Sequence, residues 1–144
     1  MTRTVSNMSA SSTSILKYSG RMKLRVMCKS KIHRAVVTGA DLHYAGSVGI
    51  DDRLMELADI APGEQVSVWN LNNGARIETY AISLPANSGQ VVVNGAAARH
   101  FQPGDRVIIV AFCLTDEPVA PQMIAVDAEN RFREQLVAPG ADRR

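Results

Sequence analysis

The sequence has few of the residues on which many small proteins depend. Aromatic residues make up 5% of its 144 residues, and its two cysteines, Cys28 and Cys113, form no C-x-x-C pair. Cysteines that lie far apart in apolar runs indicate buried free thiols in a reducing compartment, and they argue against a disulfide-stabilised domain. A cytoplasmic location is therefore expected.

Net charge, long apolar runs and metal-ligand clusters are equally scarce. The formal net charge is +2, which together with the few aromatic residues gives no electrostatic footprint for a nucleic acid. No apolar stretch approaches the length that spans a bilayer. His33, His43 and His100 do not fall at metal-ligand spacings with cysteines or acids, so we expect no metal site. Neither a nucleic acid nor a membrane is expected as a partner.

The length predicts one domain with an extension at each end. Residues 1–21 are rich in Ser and Thr and contain no acid. They are expected to be a disordered extension, or the product of a start codon assigned too early, with Met22 as the alternative start. Residues 22–128 carry the patterned part of the chain, and residues 129–144 are expected to be a flexible C-terminal tail.

The hydrophobic pattern of the patterned part predicts mainly strands. Leu24, Val26 and Cys28 place apolar residues at every second position, which is the period of a half-buried strand. Asn73-Gly74 is the strongest hairpin signal, because both residues accept positive φ. Further strands are predicted at 35–38, 46–50, 64–71, 76–84, 90–93, 106–114 and 123–127, with short helices at 51–60 and 95–100.

An internal repeat predicts a symmetric barrel. The segment 61–68, APGEQVSV, resembles the segment 102–109, QPGDRVII. In each copy a predicted short helix precedes a Pro-Gly turn, an acid and a β-branched strand. Two strand–helix–strand units predict a small β-barrel with pseudo-two-fold symmetry, in which closure removes the open strand edges.

No standard nucleophile or phosphate-binding motif is present. The sequence contains no G-x-S-x-G elbow, no P-loop and no G-x-G-x-x-G. The pair Gly46-Ser47, taken alone, is typical of a turn. Its significance depends on the residues that surround it.

Three segments resemble one family in chain order. The run 29–47, KSKIHRAVVTGADLHYAGS, contains K-x-H-R and then A-D-L-x-Y-x-G-S; the run 73–82 reads N-G-x-R-x-x-T-Y-A-I, and the run 94–98 reads N-G-A-A-A. Together they resemble the bacterial aspartate 1-decarboxylases, over about residues 22–128. The fold of that family is a double-psi β-barrel, which agrees with the internal repeat.

The resemblance implies an enzyme that makes its cofactor from its own backbone. The Ser47 hydroxyl would attack the Gly46 carbonyl and turn the amide into an ester, and elimination and hydrolysis would leave a covalent pyruvoyl group in place of Ser47. Glycine at position 46 leaves the carbonyl uncrowded and tolerates strained backbone angles, and Thr79 is the implied donor to the oxyanion. The pyruvoyl ketone would then form a Schiff base with L-aspartate and release β-alanine and CO2, which serves pantothenate and coenzyme A synthesis.

The resemblance also assigns the substrate site. Tyr80 would protonate the former α-carbon, and the cations Arg76 and Lys31 would bind the two carboxylates of aspartate. The remaining pocket residues are Thr79, Asn94, Gly95, Ala96 and Ala97, with His33 and Tyr44 as further candidates, whereas His43, Trp69 and His100 are interpreted as structural. The family forms homotetramers in which the lysine comes from the adjacent chain, and the sequence leaves open whether a maturation factor assists cleavage.

Other functions stay open at this point. A non-enzymatic double-psi barrel that serves as a binding module has the same scaffold but does not need this set of residues together. A pyruvoyl decarboxylase could act on another amino acid, such as glutamate, which is one methylene longer. A DNA-binding barrel is disfavoured by the near-neutral charge. Gly39 and Gly49 stand where many relatives carry larger residues, which leaves open the rate of self-cleavage.

Overall fold

The mainly-β prediction is confirmed by the structure, a computed structural model that describes residues 22–137. The predicted extension 1–21 and residues 138–144 lie outside the described residues. In chain order the elements are β1 (Arg25–Val36), β2 (Gly39–Asp41), β3 (Ser47–Asp51), α1 (Asp52–Ala58), β4 (Gln65–Asn70), β5 (Arg76–Leu84), β6 (Val91–Asn94), a 3₁₀ helix (Gly95–His100), β7 (Arg106–Thr115), β8 (Gln122–Val126) and β9 (Phe132–Leu136).

β1 and β2 are two parts of one long strand that closes the sheet. The strands pair in the order β2-β6-β3-β5-β4-β7-β1-β8-β9. β1 and β2 are joined by Val37 and Thr38, whose N–H groups donate to the carbonyls of Asp105 at 2.9 Å and Val91 at 2.8 Å. The strands from β1 to β7 therefore form a closed ring, and β8 and β9 are added outside it along β1.

The ring consists of two interlocked halves. Each half has a long strand (β1-β2 or β5), a short strand (β3 or β6), a short helix and a final strand (β4 or β7). The short strand of each half runs parallel to the long strand of the other half, β3 beside β5 and β6 beside β2. This interlocking is the arrangement of the predicted double-psi barrel.

The internal repeat of the sequence coincides with the pseudo-two-fold axis. β4 and β7 are antiparallel neighbours, and Val68 lies opposite Ile109. These two residues hold the same position in the repeated segments 61–68 and 102–109. The pairing therefore maps onto itself when the halves are exchanged, as the predicted symmetry requires.

Every second residue of the ring strands fills the barrel. The fully buried set includes Ile32, Val48, Val68, Ala81, Val93 and Ile109, each 0% exposed. Because side chains alternate along a strand, the residues next to these lie on the outer face of the ring. Ser47 and Tyr80, which flank Val48 and Ala81 in the chain, are on that outer face.

Residues 129–137 differ from the flexible tail that the sequence predicted. Phe132–Leu136 forms β9, which pairs antiparallel with β8. The connecting turn is fixed by the buried Asn130, whose amide donates to the carbonyls of Val36 and Gly89, each at 2.8 Å. The sequence analysis did not predict this strand because four of its five residues are exposed. Its composition is therefore similar to that of a loop.

The predicted hairpin at Asn73-Gly74 joins β4 to β5 by a longer connection than the pair suggests. Gly74 has a φ of 78°, and its N–H donates to the Asn70 carbonyl at 2.9 Å. Asn73 does not have positive φ; its Oδ1 accepts a hydrogen bond from the Ala75 N–H at 2.9 Å. The connection is therefore built by Gly74 and a side-chain turn, and not by two residues with positive φ.

Asp51 ties the end of β3 to α1 and to the loop before β6. Its buried carboxylate accepts the N–H groups of Arg53, Asn87 and Gly89, each at 2.9 Å. The first of these caps the N-terminus of α1. The helix ends at Ala58, because Asp59 takes a left-handed φ of 58°.

Replacing Asp51 by alanine should lower the free energy of unfolding by about 2–4 kcal/mol, because three backbone N–H groups lose their buried acceptor. Urea denaturation in a Ser47→Ala background, which removes the reactive hydroxyl, measures the loss. Asp52→Ala is the matched control, since the Asp52 carboxylate accepts from the Ser83 hydroxyl at an exposed site and should cost less than about 1 kcal/mol. Equal losses in the two variants would contradict the role of Asp51.

Candidate active site

Ser47 is buried at the start of β3 and held by a side-chain hydrogen bond. It is 1% exposed, and its hydroxyl oxygen accepts a hydrogen bond from Asn94 Nδ2 at 3.0 Å. Asn94 is also buried and lies directly opposite Ser47 in the antiparallel β3–β6 pair. The predicted nucleophile and one predicted pocket residue are therefore in contact.

The predicted cleavage segment wraps around the end of β6. Asp41 at the end of β2 and Ser47 at the start of β3 both pair with Asn94, one from each side. The intervening residues 42–46 therefore pass over the residue that follows, Gly95. A Cβ added at Gly95 would lie 2.8 Å from Gly46 Cα and 3.2 Å from the Tyr44 carbonyl oxygen.

Gly95 has to be glycine for two independent reasons. Its φ is 72°, a left-handed value that costs a side-chain-bearing residue about 1–2 kcal/mol. The space that a Cβ would need is occupied by the backbone of Gly46. The small residues predicted to line the pocket thus hold the cleavage segment directly.

Gly46 itself does not have the backbone strain that the sequence analysis attributed to it. It is not among the glycines with positive φ, and a Cβ added there would meet nothing within 4 Å. Neither a left-handed φ nor a packing contact at the Cβ position therefore requires glycine at position 46. The positive φ of this region is at Gly95 instead.

Tyr80 lies beside Ser47 on the neighbouring strand. β3 and β5 are parallel, with Val48 in register with Ala81. Continuing this register by one residue places Ser47 next to Tyr80, at the strand spacing of about 4.8 Å. Tyr80 is 44% exposed and Ser47 is 1% exposed, so both lie on the outer side of the ring but only the phenol reaches solvent.

Thr79 precedes Tyr80 on β5, before the first observed pair of the β3–β5 ladder, Val48 with Ala81. Gly46 lies outside β3 and packs on Gly95, on the β6 side of Ser47, so the strand pairing does not set its distance from Thr79. Neighbouring side chains on a strand point to opposite faces, so Thr79 and Tyr80 point to opposite sides of β5. The two predicted roles, one in cleavage and one in protonation, thus fall on opposite faces of β5.

Arg76 lies on the outer face of β5 but far along the strand from Tyr80. Its guanidinium stacks on the ring of Trp69, 4.0 Å from the ring centroid, in a cation–π contact. The four residues from Arg76 to Tyr80 span about 13 Å of strand. Within one chain, therefore, Arg76 and Ser47 are not brought together.

Lys31 occupies yet another part of the outer face. The pairing register leads from Lys31 to Val110 of β7, then to Ser67 of β4 and Glu78 of β5. Three strand spacings, about 14 Å, thus separate Lys31 from β5. Among residues 22–137 the ion pairs take their cations from Lys29 and Arg53, so Lys31 and Arg76 carry positive charges that no acid of this part of the chain neutralises.

The other predicted pocket residues lie around the 3₁₀ helix. Ala96 is exposed, while Ala97 is half-buried and packs against the core. Tyr44 is exposed in the cleavage segment and presents its carbonyl to Gly95. Ala96 and Tyr44 are therefore on the same surface as the Gly46–Ser47 peptide.

His33 shares a strand face with Lys31, as the sequence predicted, because both pair with β8 two residues apart. Its Nδ1 is buried and has no hydrogen-bond partner among the described residues. Burial, and then the positive charges of Lys31 and Arg34, lowers the pKa of His33. The imidazole is therefore neutral at neutral pH.

Asp41 is a residue of this site to which the sequence analysis gave no role. Its Oδ1 accepts a hydrogen bond from the His43 N–H at 3.0 Å, which turns the chain into the cleavage segment. A signal was available, since Asp41 is the second letter of the A-D-L-x-Y-x-G-S motif. Its backbone role could not be read from that letter, because the motif does not say where the strand ends.

The remaining expectations concern thiols, metals and membranes. Cys28 and Cys113 are free, as predicted, but they are half-buried and not buried. Burial raises the pKa of the Cys28 thiol. In residues 22–137 no group of three His, Cys, Asp or Glu side chains is arranged to hold a metal ion. No helix within the same range is long and apolar enough to cross a membrane.

The sequence model of the aspartate decarboxylase family matches residues 22–133. The chain belongs to this family. The match includes every residue assigned above to the cleavage point and the pocket, and it extends into β9.

Curated members of the family align over most of their length. An aspartate 1-decarboxylase of Moorella thermoacetica is 55% identical over 112 residues, which is 75% of this chain and 88% of the relative. One from Thermoanaerobacter pseudethanolicus is 53% identical, over 74% of this chain and 95% of the relative. Among solved structures, a rationally designed protein, mkDPBB_sym_86, aligns with a TM-score of 0.41 and 15% identity over 54% of this chain and 90% of its own. The fold assignment rests on the strand pairing described above.

Replacing Gly95 by alanine should slow backbone cleavage in this family member by about tenfold or more, because the new Cβ displaces Gly46. Time courses of chain cleavage on denaturing gels measure the effect. Gly63→Ala is the matched control, since Gly63 also has positive φ, 86°, but a Cβ there meets nothing within 4 Å. Cleavage of Gly95→Ala at the rate of Gly63→Ala would contradict the contact.

The lowered pKa of His33 predicts how stability depends on pH. Below the unfolded-state pKa of about 6.5 the unfolded chain binds more protons at this site than the folded chain, so stability is present above that pH and is lost as pH falls through it. Urea midpoints at pH 7.5 and 5.5 should therefore differ less in His33→Gln than in the unsubstituted chain. The exposed His43→Gln is the control, and an unchanged difference in His33→Gln would contradict the assignment.

Proposed function

We propose that this chain is the precursor of a pyruvoyl-dependent aspartate α-decarboxylase, which cuts its own backbone between Gly46 and Ser47. The observation that carries the proposal is the buried hydroxyl of Ser47, held at 3.0 Å by Asn94 directly after a glycine that packs on Gly95. A serine in an ordinary turn needs neither burial nor a dedicated amide donor.

The cleavage is an acyl shift followed by an elimination. The Ser47 Oγ forms a bond to the Gly46 carbonyl carbon, the amide C–N bond breaks, and the nitrogen becomes a free amine while the chain is joined by an ester. A proton then leaves Cα of residue 47, the Cβ–Oγ bond breaks, and the carboxylate of Gly46 departs. Water then hydrolyses the resulting dehydroalanine, so that the nitrogen leaves as ammonia and residue 47 carries a ketone.

Thr79 and Asn94 are the donors we assign to the first step. The attack puts negative charge on the Gly46 carbonyl oxygen, and a donor already in place stabilises it at little reorganisation cost. The pairing of β5 with β3 brings the strand that carries Thr79 to the side of Ser47, which supports the assignment. Asn94, through its bond to the Ser47 oxygen, orients the hydroxyl toward that carbonyl.

The same residues fit the finished cofactor. A ketone at position 47 supplies an electron-accepting carbonyl that binds the amine of aspartate and stabilises the charge left when CO2 departs. Tyr80, one strand spacing from residue 47, donates the proton to the α-carbon. Asn94, Gly95, Ala96 and Ala97 bind substrate by an amide and backbone N–H groups, and Tyr44 borders the pocket.

The two cations support an active site shared between subunits. Lys31 and Arg76 each lie more than ten ångströms, by strand geometry, from Ser47 in one chain, whereas aspartate is only a few bonds long. A neighbouring copy can supply a cation that the same chain cannot. We therefore propose a homotetramer in which Lys31 binds the substrate of the adjacent chain, with His33 beside it.

The outer face next to Lys31 is suited to such an assembly. Val26, Phe112 and Leu114 are exposed together across the paired strands β1 and β7 and line a shallow cavity with Val110. Apolar side chains clustered on one surface are typical of a protein interface. Subunit contact there would bury them beside the substrate cation.

The product would be β-alanine, the amine half of pantothenate. L-Aspartate is the proposed substrate because the site offers two cations for two carboxylates. The cytoplasmic location and the absence of a metal stay predictions, and whether a maturation factor assists cleavage stays open. L-Glutamate, longer by one methylene, is the competing substrate that an assay has to include.

Replacing Tyr80 by phenylalanine should leave chain cleavage intact and slow β-alanine production about 100-fold or more, because the proton donor is lost. Amino-acid analysis of the product, beside a denaturing gel of the enzyme, measures both steps. Ser47→Ala is the matched control that should neither cleave nor turn over. Normal turnover by Tyr80→Phe would refute the role of Tyr80, and normal turnover by Ser47→Ala would refute the proposed function.

A further inference from the structure

A buried polar pair holds the far end of the 3₁₀ helix that supports the cleavage segment. Asn70, the last residue of β4, is 3% exposed. Its Nδ2 donates to the carbonyl of His100 at 3.0 Å and to Asp105 Oδ2 at 2.8 Å, and its Oδ1 accepts from the Asn72 N–H at 2.9 Å. Both polar atoms of the buried amide are therefore in use. The exposed Asn73 Nδ2 also donates to the His100 carbonyl, at 2.9 Å.

The acceptor of Asn70 is the last residue of the helix whose first residue touches the cleavage point. The helix runs from Gly95 to His100, and Gly95 packs on Gly46. Beyond the helix, Phe101 is buried in the core, and the Gln102 N–H donates to the same Asp105 oxygen at 3.1 Å. The six-residue helix is thus held at its C-terminal end by Asn70 and Asp105, and its first residue packs against Gly46.

We propose that Asn70 is a positioning residue for self-cleavage, which acts by holding the 3₁₀ helix so that Asn94 and Gly95 fix the Ser47 hydroxyl against the Gly46 carbonyl. The inference rests on the proposed function. A short 3₁₀ helix has weak internal hydrogen bonds, so its position depends on what holds its ends. A displacement of 1 Å at a reacting group is enough to reduce a rate strongly.

Changing Asn70 to aspartate tests the proposal through pH. At high pH the variant sets two carboxylates against each other, loses both donor bonds and releases the helix. Where the two carboxyl groups share one proton, at about pH 5, a carboxyl–carboxylate bond restores the link to Asp105, while the bond to the His100 carbonyl stays lost at both pH values. Cleavage, followed by pulse-labelling in a cell-free translation and a chase, should be about tenfold slower than in the unsubstituted chain at pH 8 and within about threefold of it at pH 5.

Other charged groups near the pair are common to both chains. Arg99 and His100 line the neighbouring cavity with Asp105, and Arg106 follows Asp105 in the sequence. Dividing the cleavage rate of Asn70→Asp by that of the unsubstituted chain at each pH cancels the effect of these groups, because both chains contain them. The double variant Asn70→Asp/Asp105→Asn separates the pair from everything else, because the ratio should then lose its dependence on pH.

Asn130→Asp is the control for a purely structural effect. Asn130 is as buried as Asn70, and its amide also donates two hydrogen bonds, in this case both to backbone carbonyls, those of Val36 and Gly89, but it lies on the β8–β9 turn. Its replacement should lower the urea midpoint by a similar amount while cleavage stays within about twofold of the unsubstituted rate.

The outcomes distinguish a failure of the positioning role of Asn70 from a failure of the proposed function. If the unsubstituted chain cleaves and Asn70→Asp cleaves equally fast at both pH values, or slows no more than Asn130→Asp, the positioning role is overturned and the proposed function stands. If the unsubstituted chain stays whole throughout the chase, the proposed function is overturned and the positioning role with it.

Discussion

The contact of Gly95 with Gly46 is the constraint on which the site depends. It exists because β2 and β3 both pair with the end of β6, so the segment between them has to pass over the residue after Asn94. A side chain at position 95 would occupy the space of the Gly46 backbone. The closed barrel thus fixes a peptide bond and a serine hydroxyl with respect to each other without placing strain on Gly46 itself.

The barrel also explains why the candidate residues are spread along the chain. Ser47 and Tyr80 meet because β3 is parallel to β5, a pairing between the two halves of the double-psi ring. Thr79 and Tyr80 can serve different steps because adjacent side chains on a strand face opposite sides. Lys31 and Arg76 lie on the outer surface of the ring but far from Ser47, Lys31 by several strand spacings and Arg76 by several residues along β5. They fit a site that a second chain completes.

Much of the ring could be predicted from the sequence, because period-two patterning and the repeat at 61–68 and 102–109 report directly on inward-facing residues. β2 and β9 could not, since β2 has three residues and β9 is mostly exposed, so neither has an apolar pattern to detect. The candidate residues came from motifs that resemble a family. Motifs name residue types but not neighbours, which is why the packing of Gly95, the turn made by Asp41 and the clamp of Asn70 emerge only from the structure.

The central claim is that residue 47 is a serine in the precursor and a ketone in the mature protein. Denaturing mass spectrometry of the purified protein tests it most directly. The account predicts two chains, one ending at Gly46 and the other starting at residue 47 with a mass lower by one ammonia than that of a chain beginning with serine. A single intact chain that still carries Ser47, in a preparation that converts aspartate to β-alanine, would contradict it.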